Sequence, residues 1–355
     1  MAKTKVEFVC RECGASHHQW AGQCLDCKEW NTLEEIVISQ ATSSKPESLK
    51  DLPASKVQNL TEIKAQNKDR LSTGLSELDR TLGGGLVDGS VVLIGGDPGI
   101  GKSTLILQAL AKLNSDNTTL YVSGEESAEQ VSERAIRLGI KEDILFIGET
   151  HLEKIIKLSK DVKPKVIVID SIQTMVTDLS ASAPGSVTQV RDCAAQLTQY
   201  AKQTNTILLM IGHVTKGGAL AGPRILEHMV DAVLYFEGDA GGRYRIIRAV
   251  KNRFGAVNEI SVFAMGEKGL QQVSNPSSIF LSNQENPSSG SMVMVTREAT
   301  RPLLVEIQAL VDQSNGTPKR VSVGLDQNRL ALQLAILHKH SGIATFDQDV
   351  FINVV

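Results

Sequence analysis

The sequence predicts a doubly wound, mostly parallel α/β domain behind a small four-cysteine metal module. Three observations carry that expectation. A glycine-rich loop, Gly96 to Ser103, stands between an aliphatic run and a helical one. Two further aliphatic runs, 166–169 and 207–211, lead to Asp170 and, past Gly212, to His213. Cys10, Cys13, Cys24 and Cys27 form two C-x2-C pairs near the N-terminus.

The composition bounds the class. At 355 residues the chain has room for about two to three domains. Hydrophobic residues make up 41% and charged residues 22%, the balance of a soluble globular protein rather than a disordered or fibrous one. The net charge of −3 advertises no nucleic-acid binding, yet a basic patch can sit on a neutral protein. No stretch reaches the roughly 18 apolar residues of a membrane span, and Met1–Glu7 lacks an apolar signal region. The expectation is a cytoplasmic protein with no membrane contact.

Residues 1–37 read as a zinc-binding module. Each C-x2-C pair aims two thiolates at one point, and two pairs complete the tetrahedral set zinc prefers. So short a segment cannot bury an adequate core, so the metal would supply its folding energy. Iron in a rubredoxin-like site is the rival. Four thiolates leave no open position, which makes the site structural. His17 and His18 are further ligand types, expected to be exposed, and Trp20 and Trp30 are expected to cover the module. Residues 38–70, rich in Ser, Lys and Pro, read as a linker.

The phosphate loop is Gly96-Asp97-Pro98-Gly99-Ile100-Gly101-Lys102-Ser103-Thr104. Its pattern, G-x4-G-K-S between a strand and a helix, lets backbone N–H groups close on phosphates at a helix N-terminus. ATP is the expected cofactor, with Lys102 on its β- and γ-phosphates and Ser103 on Mg2+. Asp170 ends the run Val166-Ile167-Val168-Ile169, where a parallel sheet binds ligands, and is the expected Walker-B aspartate for magnesium. A carboxylate must also orient water. Gly124-Glu125-Glu126 follows the strand 120–123, and Glu125 is favoured over Glu126. A helix should start at Ser127, with Gln130 completing a capping box. Val187, Val190, Ala194, Leu197 and Ala201 recur at helical spacing, with Cys193 buried among them. The next strand ends at His213, a candidate γ-phosphate sensor.

These residues resemble the RecA-type ATPase core. Several stretches narrow the resemblance to the bacterial RadA (Sms) family of DNA repair proteins: the four-cysteine head, Leu71–Gly74, Tyr121–Ser127, Gly212–Lys216, Leu226–Asp231, and Lys251-Asn252-Arg253-Phe254-Gly255, the family's own motif. The resemblance covers nearly the whole chain. It implies a RecA-like P-loop ATPase at 71–273. It also implies a homo-hexameric ring that hydrolyses ATP in a DNA-dependent way during homologous recombination. Such rings drive branch migration and helicase-like extension on single-stranded and branched DNA, together with the RecA recombinase. Lys216 and Arg224 stand in a loop of small residues that resembles a central DNA-binding loop of such rings. Lys251 and Arg253 fit either a finger to a neighbour's γ-phosphate or a DNA contact.

Residues 274–355 resemble the start of the family's Lon-protease-like domain, with strands near 293–295 and 302–311 and a helix at 329–340. The chain ends in an apolar run, 351–355, and family members continue beyond it, so a truncated form whose last domain folds poorly alone is expected. Two rival functions remain: a non-motor ATP-dependent scaffold for recombinase filaments, and a protease, for which no serine–lysine dyad is found.

Overall fold

The computed structural model describes residues 5–10, 15–38, 70–113, 116–180, 182–213, 225–238, 242–281 and 289–354. Cys13, nearly all of the linker, Lys216 and Arg224 lie outside them. The chain divides into two compact units, Met1–Gln272 and Val273–Val355.

The first unit begins with a three-stranded antiparallel ribbon: β1 (Lys5–Cys10), β2 (Ser16–His17) and β3 (Leu33–Ile38), in the order β2-β1-β3. Its interior is Cys10, Cys24 and Leu33, with Phe8, Ala15, Ala21 and Cys27 against them. That core is too small to take an indole. Trp20 and Trp30 are 60% and 67% exposed, contrary to the expectation that they cover the module. Their rings flank Gly22 instead, with Trp30 Cζ3 3.6 Å and Trp20 Cη2 4.0 Å from where a Cβ would stand.

The ATPase domain follows. Its elements are α1 (Ser76–Thr81), β4 (Val91–Gly95), α2 (Lys102–Leu113), β5 (Thr119–Ser123), α3 (Ala128–Arg137), β6 (Leu145–Gly148) and α4 (Leu152–Val162). Next come β7 (Val166–Asp170), α5 (Val187–Thr204), β8 (Ile207–Ile211), α6 (Ile225–Met229) and β9 (Ala232–Glu237). Last are β10 (Tyr244–Asn252), β11 (Ile260–Gly266) and β12 (Gly269–Gln272).

One nine-stranded sheet runs β12-β11-β10-β9-β4-β8-β7-β5-β6. From β9 to β6 every pairing is parallel. The edge beyond β9 is an antiparallel meander, β10 to β12, so the α/β alternation stops before the domain does.

Strands β4, β5, β7 and β8 are buried at every residue, as helices on both faces require. The pleat sorts their side chains into two cores. Val92, Ile94, Val168 and Leu209 pack with Leu105, Ile106 and Leu110 of α2. Val91, Leu93, Ile167 and Met210 pack with Val190, Cys193, Ala194 and Leu197 of α5. Each buried Val, Leu, Ile or Met among them contributes about 1.5–3 kcal/mol. Ser127 caps α3, and the reciprocal bond from Gln130 completes its capping box.

The second unit is α+β. Strands β13 (Ser291–Glu298), β14 (Arg301–Gln313), β15 (Arg320–Val323) and β16 (Gln348–Val354) form a sheet in the order β13-β14-β16-β15. Helix α7 (Gln327–Ser341) is capped by the Asp326 side chain, which accepts from Arg329 N at 3.0 Å, and ends on Gly342 at φ +70°. Leu303, Val305, Leu330 and Val350 are buried, whereas Met292, Val293 and Val295 stay more than half exposed.

Candidate nucleotide site and metal module

The parallel strands end level with one another. Ile94 pairs with Ile211, Ser123 with Asp170, and Asp170 with Ile211. The segments that follow therefore converge at one edge of the sheet, where α/β folds bind ligands. They are the phosphate loop, Gly124–Glu126, Ser171 and Gly212–His213.

Positive φ at Gly96 (+151°), Gly99 (+76°) and Gly101 (+114°) shapes the loop into an arch. A Cβ on Gly99 would touch nothing within 4 Å, so the arch is open there. Lys102, the first residue of α2, folds back under it. Its Nζ donates to Gly96 O (2.6 Å) and Asp97 O (2.8 Å). Only 4% of the residue is exposed. Burial pushes the ammonium pKa down, against the pull of Asp170, Glu125 and Asp97.

His213 joins this lysine to Glu125. Nζ of Lys102 lies 3.3 Å from Nδ1, and Nε2 lies 3.0 Å from Glu125 Oε1. An ammonium has only hydrogens to offer, so Nδ1 accepts and the Nε2–H donates to the carboxylate. Glu125 also accepts from the Ser171 hydroxyl. The hydrogen bonds from His213 and Ser171 hold the Glu125 carboxyl below the usual range, although burial opposes them. Glu126 turns elsewhere, forming a two-pronged pair with Arg134 at 2.6 and 2.5 Å.

Asp170 accepts a short hydrogen bond from Tyr121 OH and another from the Ser103 side chain. Burial nevertheless raises its pKa, and the charges of Glu125 and Glu126 add to the rise. A hydroxyl and a buried carboxylate beside an anion-binding arch are the oxygen donors that a phosphate-bound Mg2+ takes. The donor set thus fits both groups.

Packing of the Thr174 side chain against Gly124 fixes the Glu125 segment. A Cβ on Gly124 would lie 2.2 Å from Thr174 Oγ1 and 2.9 Å from Thr174 Cβ. Gly124→Ala should therefore displace Glu125 and cost about 1–3 kcal/mol. Thermal denaturation and the hydrolysis rate should both fall, and an unchanged melting temperature would refute the contact.

The Lys251–Gly255 motif lies at the other end of the sheet. Lys251 pairs with Val233 and Asn252 with Ala232, while Ala232 pairs with Val92 near the start of β4. Lys251 Nζ caps the end of α6, donating to Glu227 O (2.6 Å) and Val230 O (2.8 Å). Arg253 pairs with the buried Asp231 at 3.1 Å, which also holds Lys202 and accepts from Val91 N. Asn252 donates to Thr81 O at 3.1 Å and accepts from Phe254 N at 2.9 Å. Gly255 meets Gly83 backbone to backbone, 2.8 Å from its would-be Cβ to Gly83 Cα. Much of the motif is thus structural, and neither cation can reach the phosphate loop of its own chain.

In the ribbon, Cys10 Sγ and Cys27 Sγ are 3.6 Å apart, and both cluster with Cys24. Tetrahedral zinc with bonds of about 2.3 Å has ligand edges of about 3.8 Å, so the thiols fit it. The turn is built by positive φ at Lys28 (+62°) and Asn31 (+55°). His17 Nε2 sits 3.5 Å from Cys24 Sγ and 3.5 Å from Asp26, beside the cluster and partly covered; His18 is exposed. Chelating the metal should unfold this ribbon alone. Amide exchange should then speed up in residues 5–38 and stay unchanged in 70–272; equal loss in both would refute the ribbon's independence.

Residues 58–219 match the AAA domain family and residues 8–35 the rubredoxin metal binding domain, a zinc ribbon. The chain is 57% identical over 357 aligned residues to the DNA repair protein RadA of Pseudomonas aeruginosa, covering 100% of this chain and 79% of the relative. The chain belongs to the RadA family. The Haemophilus influenzae RadA is 54% identical, with 79% of it covered, and the Bacillus subtilis RadA 47%, with 78% covered. With its AAA domain and zinc ribbon, the chain is a P-loop ATPase of DNA repair type. Among the described residues no helix is long and apolar enough to cross a membrane.

Four functional contacts escaped sequence reasoning: Ser171 on Glu125, Tyr121 on Asp170, Arg134 on Glu126 and Thr174 behind Gly124. Three of them join residues 46 or more apart in the chain, whereas Glu126 and Arg134, on α3, are eight apart. Ser171 alone carried a signal, standing next to the strand-end aspartate.

Proposed function

We propose that the protein is a DNA-dependent ATPase that drives branch migration and helicase-like extension of recombination intermediates, working with the RecA recombinase as a homo-hexameric ring in the cytoplasm. One observation carries the reading. His213 touches both Lys102 and Glu125, and it immediately precedes the segment 214–224 that carries Lys216 and Arg224. A residue so placed relays between the phosphates and a DNA-binding loop.

When bound, ATP with Mg2+ supplies the scissile phosphoanhydride and the charge that activates it. The arch of Gly96–Gly101 and Lys102 bind the phosphates, and Ser103 and Asp170 hold the cation. Glu125, kept ionised by His213 and Ser171, orients a water, and His213 senses the γ-phosphate. Lys251 and Arg253 lie too far from their own site, which favours a neighbour's phosphate or DNA as their target.

Single-stranded DNA should stimulate the ATPase, and a forked duplex should be unwound in an ATP-dependent way that Lys102→Ala abolishes. No stimulation sinks the DNA-motor reading. ATP-dependent DNA binding without unwinding would favour a scaffold for recombinase filaments.

A further inference from the structure

Among the described residues, one of the largest fully buried side chains is a cation so far given no part in the nucleotide site. Arg245, on β10, is 2% exposed. Its Nε donates to Ile100 O of the phosphate loop at 2.9 Å, and its NH1 donates to Gly242 O (2.5 Å) and Tyr244 O (3.0 Å). A guanidinium is charged at any physiological pH and is costly to bury, so its hydrogen bonds are strong ones.

We propose that Arg245 is a positioning residue for ATP binding, holding the Ile100–Gly101 peptide so that the Gly101 N–H faces the phosphates. A trans peptide is planar, so its C=O and N–H point in opposite directions. Arg245 draws the Ile100 carbonyl to the core side, and the Gly101 N–H is thereby turned away from the core.

Two facts make that orientation need a holder. Gly101 has φ +114°, a conformation with little intrinsic preference in a glycine. The Ile100 N–H makes only a long bond, 3.4 Å, to Asp97 O, so the loop's own bonding pins it weakly. Met265 and Leu270, on the same face of the sheet as Arg245, close on Gly101, with Met265 Cε 2.8 Å from its would-be Cβ, which leaves no room for a side chain to do the job. The positive charge behind the carbonyl also polarises the peptide, making its N–H a better donor to an anion.

The inference rests on Gly96–Ser103 binding the phosphates, which Lys102→Ala tests separately. The experiment is calorimetric titration of the full chain with MgATP, MgADP and adenosine, beside a melting curve. Arg245→Met, which keeps an unbranched stem but no donor, should weaken both nucleotides by about tenfold or more. Adenosine, lacking phosphate, should bind as in the wild type. Arg245→Lys, which keeps the charge with a shorter reach, should recover most of the loss. It also serves as the test if the Met variant does not fold, with an expected weakening of about threefold. A folded Arg245→Met that binds both nucleotides within twofold of wild type overturns the proposal. So does a loss that adenosine shares, or a folded Arg245→Lys at wild-type affinity beside a Met variant that cannot fold. If Lys102→Ala keeps nucleotide affinity, the phosphate-loop reading fails instead.

Discussion

Lys102→Met should abolish ATP hydrolysis and yet raise the melting temperature of the nucleotide-free protein. The catalytic half follows from position: the ammonium is the cation under the arch, and losing one such stabilising group costs about 10²–10³ in rate. The stability half follows from its environment. Only 4% of the residue is exposed, and burial lowers its pKa despite three nearby carboxylates. A lysine whose folded pKa is lowered binds fewer protons folded than unfolded. Stability therefore rises with pH between the lowered pKa and the ordinary one near 10.4, and at neutral pH the charge is a cost. Methionine keeps the stem and removes that cost. Wild type should gain about 2.7 kcal/mol at nucleotide 100-fold above its dissociation constant, a gain the variant lacks. Calorimetry with and without nucleotide reads both. A variant that hydrolyses ATP within tenfold of wild type would remove Lys102 from the chemistry.

Glu125→Gln should slow hydrolysis by about 10²–10⁴ while nucleotide still raises the melting temperature. Glu126→Gln should leave the rate within a few-fold. The two acids are adjacent in sequence and opposite in circumstance. Glu125 takes hydrogen bonds from His213 and Ser171 beside Lys102, whereas both Glu126 oxygens are held by Arg134. The Glu125 carboxyl sits below its ordinary range, so it should impose no acid limb on the rate near neutrality. Single-turnover rates for the two variants decide between the acids. Equal losses would mean that the Arg134 pair breaks when nucleotide binds.

The parallel half of the sheet was legible because burial on both faces writes an unbroken aliphatic run, as in Val166–Ile169. The phosphate loop was legible because its glycines serve a backbone shape that few other sequences make. The antiparallel edge was harder to read. β10 shows only a two-residue alternation of burial, a signature that says strand and is silent on direction. Lys102, Glu125 and His213 were read as one site, but the contacts that join them and Ser171 were not, since those depend on β4, β5, β7 and β8 ending level. The tryptophans misled for a simpler reason: large apolar residues usually sit inside, but a three-residue core has no inside to give them.

The placement of those two rings also decides what light can see of this protein. They are the chain's only tryptophans, and both stand exposed on the ribbon. Intrinsic indole emission is therefore red-shifted and open to quenchers, and it reports the state of the metal module alone. The ATPase domain, with no indole of its own, can bind nucleotide, turn over or melt without an indole in it to signal the change. A fluorescence melting curve of the native chain is a curve of the ribbon. Following the ATPase domain optically requires an indole placed on purpose, for example at Phe236 behind the phosphate loop.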